Sequence, residues 1–104
     1  MSNTAMGRCS ENALKLVADY WVLRIVEELD RAGAPLRFCA LQRLLDDISP
    51  VTLTARLRAL DERGLVERTE GSEGRASVSY GLSERGRRVL PVIQAISDFA
   101  AVNH

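Results

Sequence analysis

The chain has 104 residues, of which 46% are hydrophobic and 27% charged, with fourteen basic side chains against fourteen acidic ones. That length supports a single domain around one modest core and is too short for two. Zero net charge removes the simplest argument for a nucleic-acid partner, a strongly basic composition, although the local field weighs more than the total.

The N-terminal "MSNTAMGRCS" lacks the apolar run of a secretion signal. Arg24 interrupts "WVLRIV" and Pro91 sits in the last apolar segment, so no stretch reaches membrane-spanning length and no membrane partner is expected. A cytoplasmic location is expected. Glu11 to Ala18 and Tyr20 to Arg31 read as two helices. Leu14 and Val17, then Trp21, Ile25 and Leu29, recur at helical spacing. Asp19 is placed to cap the second, and Gly33 followed by Pro35 ends it. Leu36 to Asp46 reads as a third helix, with Phe38, Leu41, Leu44 and Leu45 facing inward.

"DDIS" makes a short turn in which Ser49 can cap the next helix and Pro50 takes its first position, where a missing N–H costs little. This helix runs from about 50 to 63, with Leu53, Leu57 and Leu60 as its buried stripe, and Gly64 stops it. Two strands follow within about 65–82, "LVERT" and "ASVSYGL", the latter alternating Val78, Tyr80 and Leu82. "EGSEGR" between them is a hairpin tip. Ser83 then caps a long helix over about 83–101. Helix, helix, short turn, helix and two-stranded hairpin in that order make a winged helix-turn-helix with a long C-terminal helix, mainly α with a small β-hairpin (an α+β domain) spanning 1–104.

"CSENALKLVADYW", "LRFCALQRLLDDIS", "LTARLRALDERGLVERT" and "VSYGLSERGRRVLPVIQAI" together resemble the HxlR family of bacterial winged-helix transcription regulators, from Cys9 to Ala101 and in the family's order. The resemblance implies a homodimer that binds double-stranded DNA at an operator. It also implies an effector in some members, which respond to oxidants or electrophiles through a cysteine just before the first helix, the place Cys9 occupies. The chain departs from the family pattern at Asp19-Tyr20, where a glycine-lysine pair usually precedes the tryptophan. It departs again in its wing, "EGSEGRAS", and at Val51 and Ala55, where polar or basic side chains are common.

With Leu53, Leu57 and Leu60 inward, the opposite side of the 50–63 helix carries Val51, Ala55, Arg58 and Glu62, with Thr52 and Thr54 on its shoulders. Val51 and Ala55 can make only apolar contacts, most naturally to thymine methyls. Thr54 can reach a base edge or a phosphate, and Arg58 can grip guanine in bidentate fashion or hold a phosphate. Arg56 lies near the edge of the buried stripe and either anchors the backbone or pairs with a nearby acid. Ser49 opens this surface, and Arg75 at the wing tip is the candidate for the minor groove or its phosphates. Between Ser49 and Arg88 eight arginines face six acids, a local excess of two positive charges.

The last helix carries a wide stripe of Val89, Val92, Ile93, Ile96, Phe99 and Ala100, expected to pair two copies across a twofold axis. Pro91 is expected to kink it. Cys9, beside Arg8 and ahead of a helix N-terminus, is the candidate redox sensor; Cys39 reads as core. A small-molecule effector is the other candidate signal. His104 is the only histidine and the two cysteines lack metal-ligand spacing, so no metal is expected. No paired carboxylates, nucleophile–base set or phosphate loop appears, so neither an enzyme nor a cofactor is expected. A second reading of the same fold is a protein–protein interaction module with weak or lost DNA binding. Its motives are the neutral charge, the acidic wing and the apolar positions 51 and 55.

Overall fold

Asp19 begins the first described helix as the sequence suggests: its carboxylate accepts the Trp21 N–H at 3.0 Å and the Val22 N–H at 3.2 Å. In the computed structural model, which describes residues 19–46, 48–71 and 78–102, this helix is α1 (Tyr20–Ala32), closed by Gly33 at φ 67°. The left-handed backbone there is open to glycine without a Cβ penalty. The expected Glu11–Ala18 helix lies outside the described residues.

The next segment corrects the sequence reading. Leu36–Arg37 is a short strand, β1, and the helix α2 starts only at Phe38 (Phe38–Leu44). β1 pairs antiparallel with β3 (Ser79–Leu82), Leu36 opposite Tyr80 and Arg37 opposite Ser79. The wing is therefore part of a three-stranded sheet in the order β1-β3-β2, not a free two-stranded hairpin. The cause is tertiary: β3 has a second edge to satisfy, and an extended dipeptide after Pro35 supplies the backbone partners. Leu41 and Leu45 are buried and Phe38 half-buried, but Leu44 is 45% exposed rather than inward. The core takes Leu41 and Leu45 from this segment and leaves the Leu44 side chain outside, while the Leu44 backbone carbonyl accepts from Arg24 Nη2 at 3.4 Å.

α3 (Pro50–Glu62) is the second helix of the helix-turn-helix. The turn before it holds Asp46 at φ 48°, the one non-glycine described residue with positive φ. Leu65 N–H reaches the Leu60 carbonyl at 2.9 Å and Gly64 N–H the Asp61 carbonyl at 2.9 Å. This is a Schellman closure that turns the chain directly into β2 (Val66–Thr69). α4 (Glu84–Val102) begins on the same spot. Ser83 N–H bonds the Leu65 carbonyl at 3.1 Å, and Ser83 Oγ donates to the Gly64 carbonyl while accepting the Gly86 N–H at 3.0 Å.

The core joins Val22, Ile25, Val26 and Leu29 of α1 to Leu41 and Leu45, to Leu53, Leu57 and Leu60 of α3, and to Leu65, Val66 and Leu82. Ile93 of α4 belongs to it as well, at 1% exposure. Glu28 is buried beside them and pairs with Arg31 at 3.0 Å and Arg24 at 3.6 Å. Hydrogen bonding to Tyr20 raises the Arg24 pKa further, with Glu28 adding to it. No helix among the described residues is long and apolar enough to cross a membrane.

Candidate nucleic-acid interface

The outward face of α3 follows from its inward one. Because Leu53, Leu57 and Leu60 are fixed in the core, Val51, Thr54, Ala55 and Arg58 stand on the exposed side, Val51 at 80% exposure. With Pro50 these four side chains line one shallow, open surface. The helix is held at its start by Ser49, whose Oγ accepts the Thr52 N–H at 3.1 Å and donates to Thr52 Oγ1 at 2.9 Å. Ser49 and Thr52 thus spend part of their hydrogen-bonding capacity on the cap.

Arg56 is half-buried, and its Nε donates to Asp19 Oδ1 at 3.1 Å. Of the alternatives open to it in sequence, pairing with an acid is the one seen, and the partner lies 37 residues away. It ties α3 to the cap of α1. Arg58, by contrast, makes no ion pair among the described residues.

Two residues join this surface that the sequence reading did not single out. Arg68 and Tyr80 face each other across β2 and β3, and with Thr54, Leu57, Arg58 and Asp61 they line a groove of about 430 Å³ between α3 and the sheet. Arg68 Nη1 is 2.7 Å from Glu70 Oε2, both side chains being solvent-accessible. That contact, followed by Tyr80, raises the Arg68 pKa above the ordinary guanidinium value. Period-two alternation places Val66 and Arg68 on one face of β2. This signal was present in "LVERT", but the groove exists only once the strand is set against α3. Arg75 and Cys9 lie outside the described residues.

The expected apolar stripe of α4 divides in the structure. Ile93 is taken by the domain's own core, while Val89 and Ile96 are half-buried and Val92 and Phe99 exposed. Cys39, read as core, is exposed on α2, one position off the Phe38, Leu41 and Leu45 side chains that pack on the core.

This arrangement of helix-turn-helix, wing and trailing helix has relatives of matching length. The family model described as HxlR-like helix-turn-helix matches residues 16–104. The chain belongs to the HxlR-like helix-turn-helix family. Among its HxlR relatives, the HTH-type transcriptional regulator YdzF of Bacillus subtilis is 36% identical over 83 residues, 80% of this chain and 75% of that one. In structure, the diamide-treated YodB of B. subtilis is similar at a TM-score of 0.74 with 30% identity, covering 88% of each chain. A possible HxlR family transcriptional factor from Thermoplasma volcanium matches at a TM-score of 0.74 with 25% identity over 86% of this chain and 78% of that one. This HxlR-type chain is a transcriptional regulator with a winged helix-turn-helix fold, and its named relatives are regulators rather than enzymes.

Proposed function

We propose that this HxlR-family regulator is a cytoplasmic homodimer that reads an inverted-repeat operator in double-stranded DNA with the outward face of α3. The observation that carries this reading is the exposed set Val51, Thr54, Ala55 and Arg58 on a helix whose other side is pinned by three core leucines and by Asp19. In helix-turn-helix docking such a face enters the major groove. Val51 and Ala55 then suit thymine methyls, Thr54 a base edge or phosphate, and Arg58 a guanine or phosphate. Ser49 and Thr52 present the helix start, Arg56 acts mainly by holding α3 in place, and Arg75 serves the minor groove from the wing tip.

Two copies pair through α4, with Val89, Val92, Ile96 and Phe99 on the dimer face and Ile93 beneath it, so that the two α3 helices meet half-sites about one DNA turn apart. With a small local excess of positive charge, non-specific binding is weak and falls quickly with salt. The similarity to YodB, whose structures include a reduced and a diamide-treated form, supports a redox or electrophile signal received at Cys9. A small-molecule effector is the competing signal.

A second reading, a protein–protein module that has lost DNA binding, is favoured by one observation, the apolar exposed surface of Pro50, Val51 and Ala55. Selection of bound sequences from a random duplex pool separates the two. Enrichment of one inverted repeat supports the regulator, and no enrichment at low salt supports the module.

A further inference from the structure

We infer that Arg68 is a backbone-phosphate clamp that the free protein keeps occupied with its own Glu70, a carboxylate that a DNA phosphate displaces. The inference rests on the DNA-binding reading above and adds to it a residue outside the helix-turn-helix. Arg68 lies in the groove that also holds Arg58 and Thr54, so a strand following the outward face of α3 passes between two guanidinium groups and a hydroxyl. Tyr80, across the sheet from Arg68, is the fourth polar side chain there, and Asp61 the one acid lining it. Asp61 lies three residues after Arg58 on the same helix, and its repulsion of a phosphate is set against the two guanidinium groups of the same groove.

The stand-in is visible. Glu70 Oε2 lies 2.7 Å from Arg68 Nη1, and carboxylate and phosphate oxygens present similar geometry to a guanidinium. Glu70 sits at the sheet edge, two residues along the chain from Arg68, and both are solvent-accessible. An exposed pair of this kind contributes little stability, so exchanging its anion leaves the fold intact. The exchange has a consequence. Because Glu70 competes equally against every phosphate, it lowers affinity for all duplexes alike and keeps a neutral protein from lingering on unrelated DNA.

The test uses the full chain, a duplex carrying the selected inverted repeat and a scrambled duplex of equal length, each titrated over a series of salt concentrations. Arg68→Ala is expected to weaken both duplexes alike and to reduce the slope of log affinity against log salt by about 0.9, one phosphate contact. Glu70→Gln is expected to tighten both about two- to fivefold, the equivalent of removing one exposed ion pair. In an Arg68→Ala background, Glu70→Gln should add nothing. A wild-type salt slope in Arg68→Ala overturns the clamp, and an undiminished gain from Glu70→Gln in that background reduces Glu70 to a general negative charge and overturns the exchange. If the wild type binds no duplex, the DNA-binding reading fails and the clamp with it, a result distinct from either of these. Both substitutions are at exposed side chains, and unchanged melting temperatures verify that folding is not the cause.

Discussion

Arg56 Nε and Asp19 Oδ1 stand 3.1 Å apart, and the same carboxylate oxygen accepts the two N–H groups that open α1. One oxygen therefore serves as helix cap and as anchor for the recognition helix. The two roles differ in worth: an N-cap contributes about 0.5–2 kcal/mol, whereas a half-exposed ion pair contributes about 0.2–1 kcal/mol.

The variants at this contact should separate accordingly. Asp19→Ala loses both roles and should cost about 1–2 kcal/mol in urea unfolding, while Asp19→Asn keeps the cap and should cost less than about 1 kcal/mol. Arg56→Ala should match Asp19→Asn, and the double variant Asp19→Asn/Arg56→Ala should cost no more than either alone. Additive losses would show that the pair is not coupled.

Leu57 and Arg58 are neighbours in sequence on opposite sides of α3, one buried and one exposed. Leu57→Ala should destabilise the fold by about 2–5 kcal/mol through a core cavity. Arg58→Ala should leave the melting temperature in place and lower operator affinity by about 1–3 kcal/mol. Calorimetry and a gel-shift titration measure the two, and an operator affinity unchanged in Arg58→Ala removes that residue from the reading surface.

Gly86 lies in the first turn of α4, where an added Cβ would run into the Leu65 carbonyl oxygen. Helix propensity alone favours Gly86→Ala by about 1 kcal/mol. The clash is with backbone already held by the Ser83 N–H, so it cannot be relieved by a rotamer, and overpacking of this kind costs about 1–3 kcal/mol. The clash should win. The melting temperature of Gly86→Ala should fall by several degrees, and a rise would show that α4 can slide from the end of α3.

On α4, Val92 is 53% exposed and Ile93 1% exposed, which gives adjacent residues opposite expectations. Val92→Glu or Ile96→Glu should yield a folded monomer with weak operator binding, because a charge would be buried unpaired at the interface. Ile93→Glu should unfold the chain outright. Light scattering that reports a dimer for both Val92→Glu and Ile96→Glu places the interface elsewhere.

For the signal, an operator titration with and without diamide compares wild type, Cys9→Ser and Cys39→Ser. Wild type and Cys39→Ser should change affinity on oxidation, and Cys9→Ser should not. Since Cys39 is exposed, it is a reactive control rather than a protected one. A response that survives in Cys9→Ser and disappears in Cys39→Ser moves the sensor onto α2.

The elements whose start and stop are local were legible in the chain itself. Asp19, Ser49 and Ser83 each cap within three residues, Gly33 and Gly64 each end a helix through their own φ, and the leucines of α3 set its phase by period alone. Where contacts cross long stretches of chain, sequence was silent. Leu36–Arg37 has no strand signal of its own and is extended because β3, more than forty residues later, offers it an open edge. Arg56 could be assigned to Asp19 only when α1 and α3 were packed together, and Arg68 joined Arg58 only when the sheet was laid beside α3. Ile93 and Val92 read alike as members of one apolar stripe, and only the packing of α4 on α1 separated a core residue from a surface one. Capping and periodicity are written within a few residues, whereas edge pairing, ion pairing and the side of a helix that meets the core depend on which elements become neighbours in space.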